Sequence, residues 1–219
     1  MDDKSRYHHG DLRKALLNAG LDILEDEGLA ALSLRAVAAR AGVSHAAPAH
    51  HFGNLRGLLT ALVAIAFARF AAAMAAERAQ AAADPAEQIR AAGRGYVAFA
   101  QRNPALFRLM FSSASLDAGD ADLRRAGESA YRHLIEIAEP AAEALGAATE
   151  IGRREIAQFI WATIHGYAHL LVDGRLLGAD LAEPDPPPDI GGLLFGLKFG
   201  AASQAAAPAH SAPDVSPDS

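Results

Sequence analysis

The stretch from Leu32 to Leu59, LSLRAVAARAGVSHAAPAHHFGNLRGLL, constrains the fold more than any other part of the chain. Ser33 is suited to cap a helix that begins at Leu34, because its hydroxyl takes up one of the orphan amides of the first turn. Leu34, Val37, Ala38 and Ala41 then recur at helical spacing and give one apolar face. Gly42 follows at once, and glycine enters the left-handed region at a helix end without steric penalty. Val43 packs back into the corner, and Ser44 is expected to cap a second short helix. Ala38, Ala39 and Ala41 let the two helices cross closely. Two short helices on a glycine turn are the pattern of a helix-turn-helix, whose second helix lies in the major groove of DNA.

Periodicity makes the rest of the chain helical too. Leu12, Leu16, Ala19 and Ile23 run to Glu27, where Gly28 closes the helix, and Leu17, Leu21 and Leu24 widen its apolar stripe. Asn54 opens a long helix through about Gln80, with Leu58, Leu59, Leu62, Ala66, Phe70 and Met74 on one side. Asp84-Pro85 and Asn103-Pro104 are each a capping side chain followed by a first-turn proline, and each predicts a helix start. Residues 112–119 read as loop. A helix over about 120–145 follows, with a break expected near Pro140, and then one from Thr149 to Asp173, closed by Gly174. EPDPPP at 183–188 reads as a rigid linker, Asp189 as the cap of a last helix to about Ser203, and the remainder as a disordered tail. No segment has a trustworthy strand period. The expected fold is all-α with about nine helices, divided near residue 63 and again near 204.

The absence of cysteine excludes disulfide frameworks, thiol nucleophiles and cysteine-bearing metal sites. The N-terminus, MDDKSRYHHG, has no apolar core and does not read as a signal peptide. The most apolar run, near Ala61–Ala76, contains Arg69 and is expected to be too short and too charged to span a bilayer. A cytoplasmic protein with no membrane partner is therefore expected. Residues 1–63 hold seven Lys/Arg and seven Asp/Glu, so the net charge of −6 falls wholly on 64–219. Within the first part the acids crowd into 22–27, while Arg35, Arg40, Arg56 and several histidines surround the helix-turn-helix. That distribution suits a DNA-binding head on an acidic body.

Four segments, YHHGDLRKALLNAG, LSLRAVAARAGVS, APAHHFGNLRGLL and the distant WATIHG, together resemble the tetracycline-repressor (TetR) family of bacterial regulators. The match to the DNA-binding part covers about residues 7–63. Trp161, His165 and Gly166 resemble the C-terminal subgroup named for its Trp-His-Gly signature. The resemblance implies a helix-turn-helix DNA-binding domain over 1–63, a ligand-binding and dimerisation domain over 64–204, and a tail over 205–219. It further implies a homodimer on double-stranded operator DNA, released by a small-molecule effector: a transcriptional regulator, acting as a repressor.

On the second hairpin helix, Ser44, His45, Ala46, Ala47, Ala49 and His50 are the groups expected to meet base edges or phosphates. Serine and histidine donate to base acceptors, and alanine methyls meet thymine methyls. Ser33 and Arg35, at the start of the preceding helix, are placed for the phosphate backbone. This sequence departs from the family pattern at Ala49, usually tyrosine, and at Leu55, usually basic. Arg56 and His50 are the expected replacements.

In the body, Tyr96, Phe99, Phe107, Met110, Phe111, Tyr131, Trp161 and His165 are candidates to line a ligand cavity, and each is equally a plausible core residue. His165 and His169, at i and i+4, invite a metal, but no HExxH or carboxylate cluster supplies a third ligand. No metal, cofactor or catalytic role is expected. Two alternatives remain at this level: a DNA-binding regulator without an effector, and a helical metal-dependent enzyme using His165 and His169. The helix over 149–173 is apolar around most of its circumference, and Gly192, Gly196 and Gly200 lie four apart on the last helix. These two helices are expected to form a four-helix bundle with their two-fold mates.

Overall fold

A computed structural model describes residues 9–176 and 189–196 of the chain. Among the described residues there are nine α-helices, two single-turn 3-10 helices and no strand. The last helix expected to reach Ser203, the linker at 183–188, Gly200 and the tail fall wholly or partly outside them.

The head is built from α1 (His9–Asp26), α2 (Leu34–Arg40) and α3 (Ala47–Phe52). The stripe of α1 is buried as its spacing requires, with Leu16 fully covered and Ile23 nearly so. Ser33 accepts the Ala36 amide at 3.1 Å, and Val37 and Ala38 turn inward. Gly42 sits at φ 67°, flanked by hydrogen bonds from its own amide to Ala39 and from Val43 to Ala38. That is a Schellman closure, which needs a left-handed residue. Arg40 reaches back to Asp26 (2.9 Å) and Glu27 (2.5 Å), fastening α2 to the end of α1.

The start of α3 differs from the expectation. Ser44 does not cap it: the residue before the helix is Ala46, with no side-chain cap. The reason is Pro48 in the first turn, which has no amide to be capped and presets the backbone on its own.

From Asn54, whose side chain accepts the Gly57 amide at 3.0 Å, α4 (Leu55–Arg78) runs out of the head and through the body. By length and composition α4 does pass for a membrane span, with a mean hydropathy of 2.0 over its most apolar window, contrary to the expectation for this run. Its apolar side is nonetheless spent on the protein itself: Leu58, Leu62, Val63 and Ala66 are fully buried. Around it stand α5 (Pro85–Arg102), α6 (Pro104–Met110), α7 (Ala121–Ala144), α8 (Glu150–Val172) and α9 (Ile190–Gly196). Asp84 and Asp189 cap their helices as expected, and Asp120 and Thr149 cap theirs in the same way.

Three details correct the sequence reading. Asn103 does not cap α6; its amide donates to the Phe99 carbonyl at 2.9 Å and finishes α5 instead. Pro140 does not break α7, which continues to Ala144. It lies on the solvent side beside Glu136 and Glu139, where a carbonyl deprived of its amide partner meets water. On α9 the tight glycine is Gly191, where a Cβ would stand 2.4 Å from the Ala86 carbonyl oxygen of α5. A Cβ at Gly192 would instead meet the capping carboxylate of Asp189, so the cap already accounts for that glycine.

Candidate DNA-binding head and ligand cavity

Of the residues expected to touch DNA, Ser33, Arg35, Ser44, His45, Ala46, Ala49 and His50 are exposed, and Ala47 is half-buried. Pro48 points the other way, into the head. Arg13 of α1 stacks its guanidinium 5.4 Å from the centre of the Phe52 ring and so steadies the far end of α3.

Arg56 does not join this surface. Its Nε and a terminal amine donate to the Leu116 carbonyl at 2.9 and 2.5 Å, which spends the guanidinium on the loop before α7. One turn on, the Thr60 hydroxyl donates to the Arg56 carbonyl at 2.8 Å and accepts the Asp117 amide at 2.9 Å. Thr60 is 1% exposed, so both of these bonds form away from solvent. The first turns of α4 are thus latched to residues 116 and 117. Nothing in the local sequence announces this pairing, which spans about sixty residues.

Between α4, α5, α7 and α8 lies a cavity of about 320 Å³. Of the candidate ligand residues, Tyr96, Phe111, Tyr131 and Trp161 line it. Phe99, Phe107 and Met110 do not. Phe107 is fully buried in the core, Phe99 packs its ring 5.3 Å from Phe70, and Met110 faces a second space of about 270 Å³ beside Leu116. The walls that composition did not single out are Phe67, Phe70 and Met74 of α4 and Ile160 and Ile164 of α8. Their helical register was readable, but which flank of each stripe faces a gap depends on packing between distant helices.

His165 stands behind the wall rather than in it. Its Nδ1 lies 2.7 Å from the Tyr96 hydroxyl, and its ring is 4.4 Å from Phe111 and 4.5 Å from His169. Burial lowers the His165 imidazole to about 4, and the neighbouring charge of His169 works in the same direction. Burial also pushes the Tyr96 phenol above its ordinary range, with the Trp161 indole acting weakly against it. At neutral pH both groups are uncharged, and they share one hydrogen bond whose donor is set by the imidazole tautomer.

This pair predicts an acid sensitivity. The unfolded chain protonates His165 near 6.5, whereas the fold refuses the proton until about 4, so stability is intact above 6.5 and declines as pH falls from 6.5 toward 4. Melting midpoints of His165→Phe across that window are expected to fall less steeply than those of the parent. Parallel curves would remove His165 as the cause.

Residues 16–62 match the family model described as bacterial regulatory proteins, tetR family. Residues 89–187 match that of the tetracyclin repressor-like C-terminal domain. The chain belongs to the TetR family. Members of the TetR family are DNA-binding transcriptional regulators, not enzymes, which removes the metal-dependent enzyme reading of His165 and His169. Among the described residues no group of three His, Cys, Asp or Glu side chains gathers in a way that suits a metal.

Among curated relatives, the chain is 33% identical over 113 residues to the HTH-type transcriptional regulator BetI 1 of Chromohalobacter salexigens, covering 52% of this chain and 56% of that one. It is 33% identical over 119 residues to the regulator BetI of Stenotrophomonas maltophilia, covering 61% of its length. The match thus spans little more than half the length of these curated relatives. Among solved structures, a Rhodococcus sp. RHA1 protein of unknown function is 32% identical with a TM-score of 0.68, covering 88% of this chain and 94% of that one. A TetR-like transcriptional regulator from the same organism, 21% identical with a TM-score of 0.56, covers 87% and 97% and shares the fold.

Proposed function

We propose that this TetR-family protein is a ligand-responsive repressor, a cytoplasmic homodimer that leaves a palindromic operator when a small molecule enters the body. The observation that carries the reading is the union of two parts in one helix. At one end of α4 stand His45 in the turn before α3 and Ala49 and His50 on α3, all exposed; along its other end lies an apolar cavity. A ligand there shifts the protein away from its DNA-bound form only by as much as it prefers the other form.

In this reading the domains divide at about 63 and 204, and the body belongs to the Trp-His-Gly subgroup, a reading supported by the resemblance of Trp161, His165 and Gly166 to its signature. Ser33 and Arg35 meet phosphates, while Ser44, His45, Ala46, Ala47, Ala49 and His50 face the groove. The dimer is supported by α8, whose Phe159 and Leu170 are 38% and 46% exposed with Ala162 and Gly166 between them on one stripe. A stripe of that kind is what an isologous helix pair covers.

Selection from random duplexes, followed by binding to the winning sequence, tests the proposal. The expected site has two half-sites about 34–36 Å apart, or a simple multiple, and sedimentation gives a dimer mass. Arg35→Ala is expected to weaken binding to every sequence and lower the salt slope by about one. His45→Ala is expected to change base preference instead. A chain that enriches no sequence, or that sediments as a monomer on its operator, overturns the reading.

A further inference from the structure

We infer that the body cavity takes a neutral, mainly apolar small molecule, and that it rejects ions of either sign. This rests on the regulator reading and names the chemical class of its effector. Among the described residues, seventeen line the space, and none of these is Asp, Glu, Lys, Arg or His. Nor is there a Ser, Thr, Asn or Gln among them. The polar side-chain groups at the wall are the Tyr96 and Tyr131 hydroxyls and the Trp161 indole N–H.

An ion entering such a space gives up its hydration and meets no counter-charge, a loss that neutral molecules escape. Aromatic faces attract a cation, but that attraction is weaker than the hydration surrendered when no carboxylate stands near. The volume of about 320 Å³ falls at the lower end of small-molecule sites, about 300–1,000 Å³, and suits a small organic molecule.

Gly127 of α7 gives the control. It borders both cavities, and a Cβ built there meets nothing within 4 Å. Gly127→Leu therefore puts a side chain into the open space while replacing an interior helix glycine with a strong helix former. The variant is expected to fold with an unchanged or higher melting midpoint.

Calorimetric titration of the full chain, free of DNA, tests the assignment with three probes on one ring system: 2-naphthol, 2-naphthol-6-sulfonate and 2-naphthyltrimethylammonium. The expected result is one 2-naphthol per chain, with each charged analogue at least tenfold weaker. Gly127→Leu is expected to weaken 2-naphthol at least tenfold. The inference is overturned if 2-naphthol fails to bind, if either ion binds as tightly, or if the filled variant binds it unchanged. Operator affinity measured on the same preparation separates the two claims. Tight 2-naphthol binding by a chain that ignores DNA supports this class while removing the regulator. Absent 2-naphthol binding with intact operator affinity removes the class alone.

Discussion

Phe107→Ala is expected to cost about 3–5 kcal/mol of folding stability, the range for emptying a fully enclosed aromatic site. For a chain of this length that lowers the melting midpoint by roughly 10 °C. The ring of Phe107 is fully buried, 4.8 Å from His169, 5.3 Å from Phe111 and 5.9 Å from Tyr96. No single neighbour can move into the void, because each is held by the others. Since Phe107 does not line the cavity, the folded variant should bind ligand with near-parental affinity. Thermal melting and titration together decide it: an unaltered midpoint with lost binding would return Phe107 to the ligand site.

Gly95→Val is expected to be worse tolerated than its place in a helix suggests. An interior helix glycine replaced by alanine ordinarily gains about 1 kcal/mol of propensity. Here α5 crosses α4 so closely that a Cβ at 95 would lie 2.6 Å from the Ala73 carbonyl oxygen and 2.7 Å from the Met74 Cα. These are backbone atoms and cannot rotate away. Relief requires the two helices to part, and overpacking of that kind costs about 1–3 kcal/mol or more. The same separation would widen the wall between Met74 and Tyr96, so ligand affinity should fall along with the melting midpoint. A midpoint at or above the parent's would show that the crossing yields easily.

What the sequence made legible was local. Ser33, Asn54 and Asp84 each accept an amide three residues on, and such a bond is written in four consecutive residues. The left-handed turn at Gly42 belongs to the same class. The failures share a different cause. Ser44 was displaced as a cap by Pro48, a competition between neighbours that the capping rule alone does not weigh. Arg56 carries the same charge whether it meets a phosphate or the Leu116 carbonyl, and only the fold brings residue 116 within reach. In the body, aromatic residues identified the right region but not the right wall. Phe107 and Tyr96 lie on adjacent elements, yet one is sealed in the core and the other borders open space.

The latch at Thr60 turns one backbone proton into a gauge. The amide of Asp117 has the Thr60 hydroxyl as its acceptor, and that hydroxyl is shielded from water. Deuterium can replace this proton only when the first turns of α4 and the loop before α7 draw apart, even for a moment. Its exchange rate therefore reads the free energy of that separation directly, at a single site, without DNA or effector in the tube. Compared between the empty and filled cavity, it states in one number whether occupancy of the body is felt at the hinge of the head.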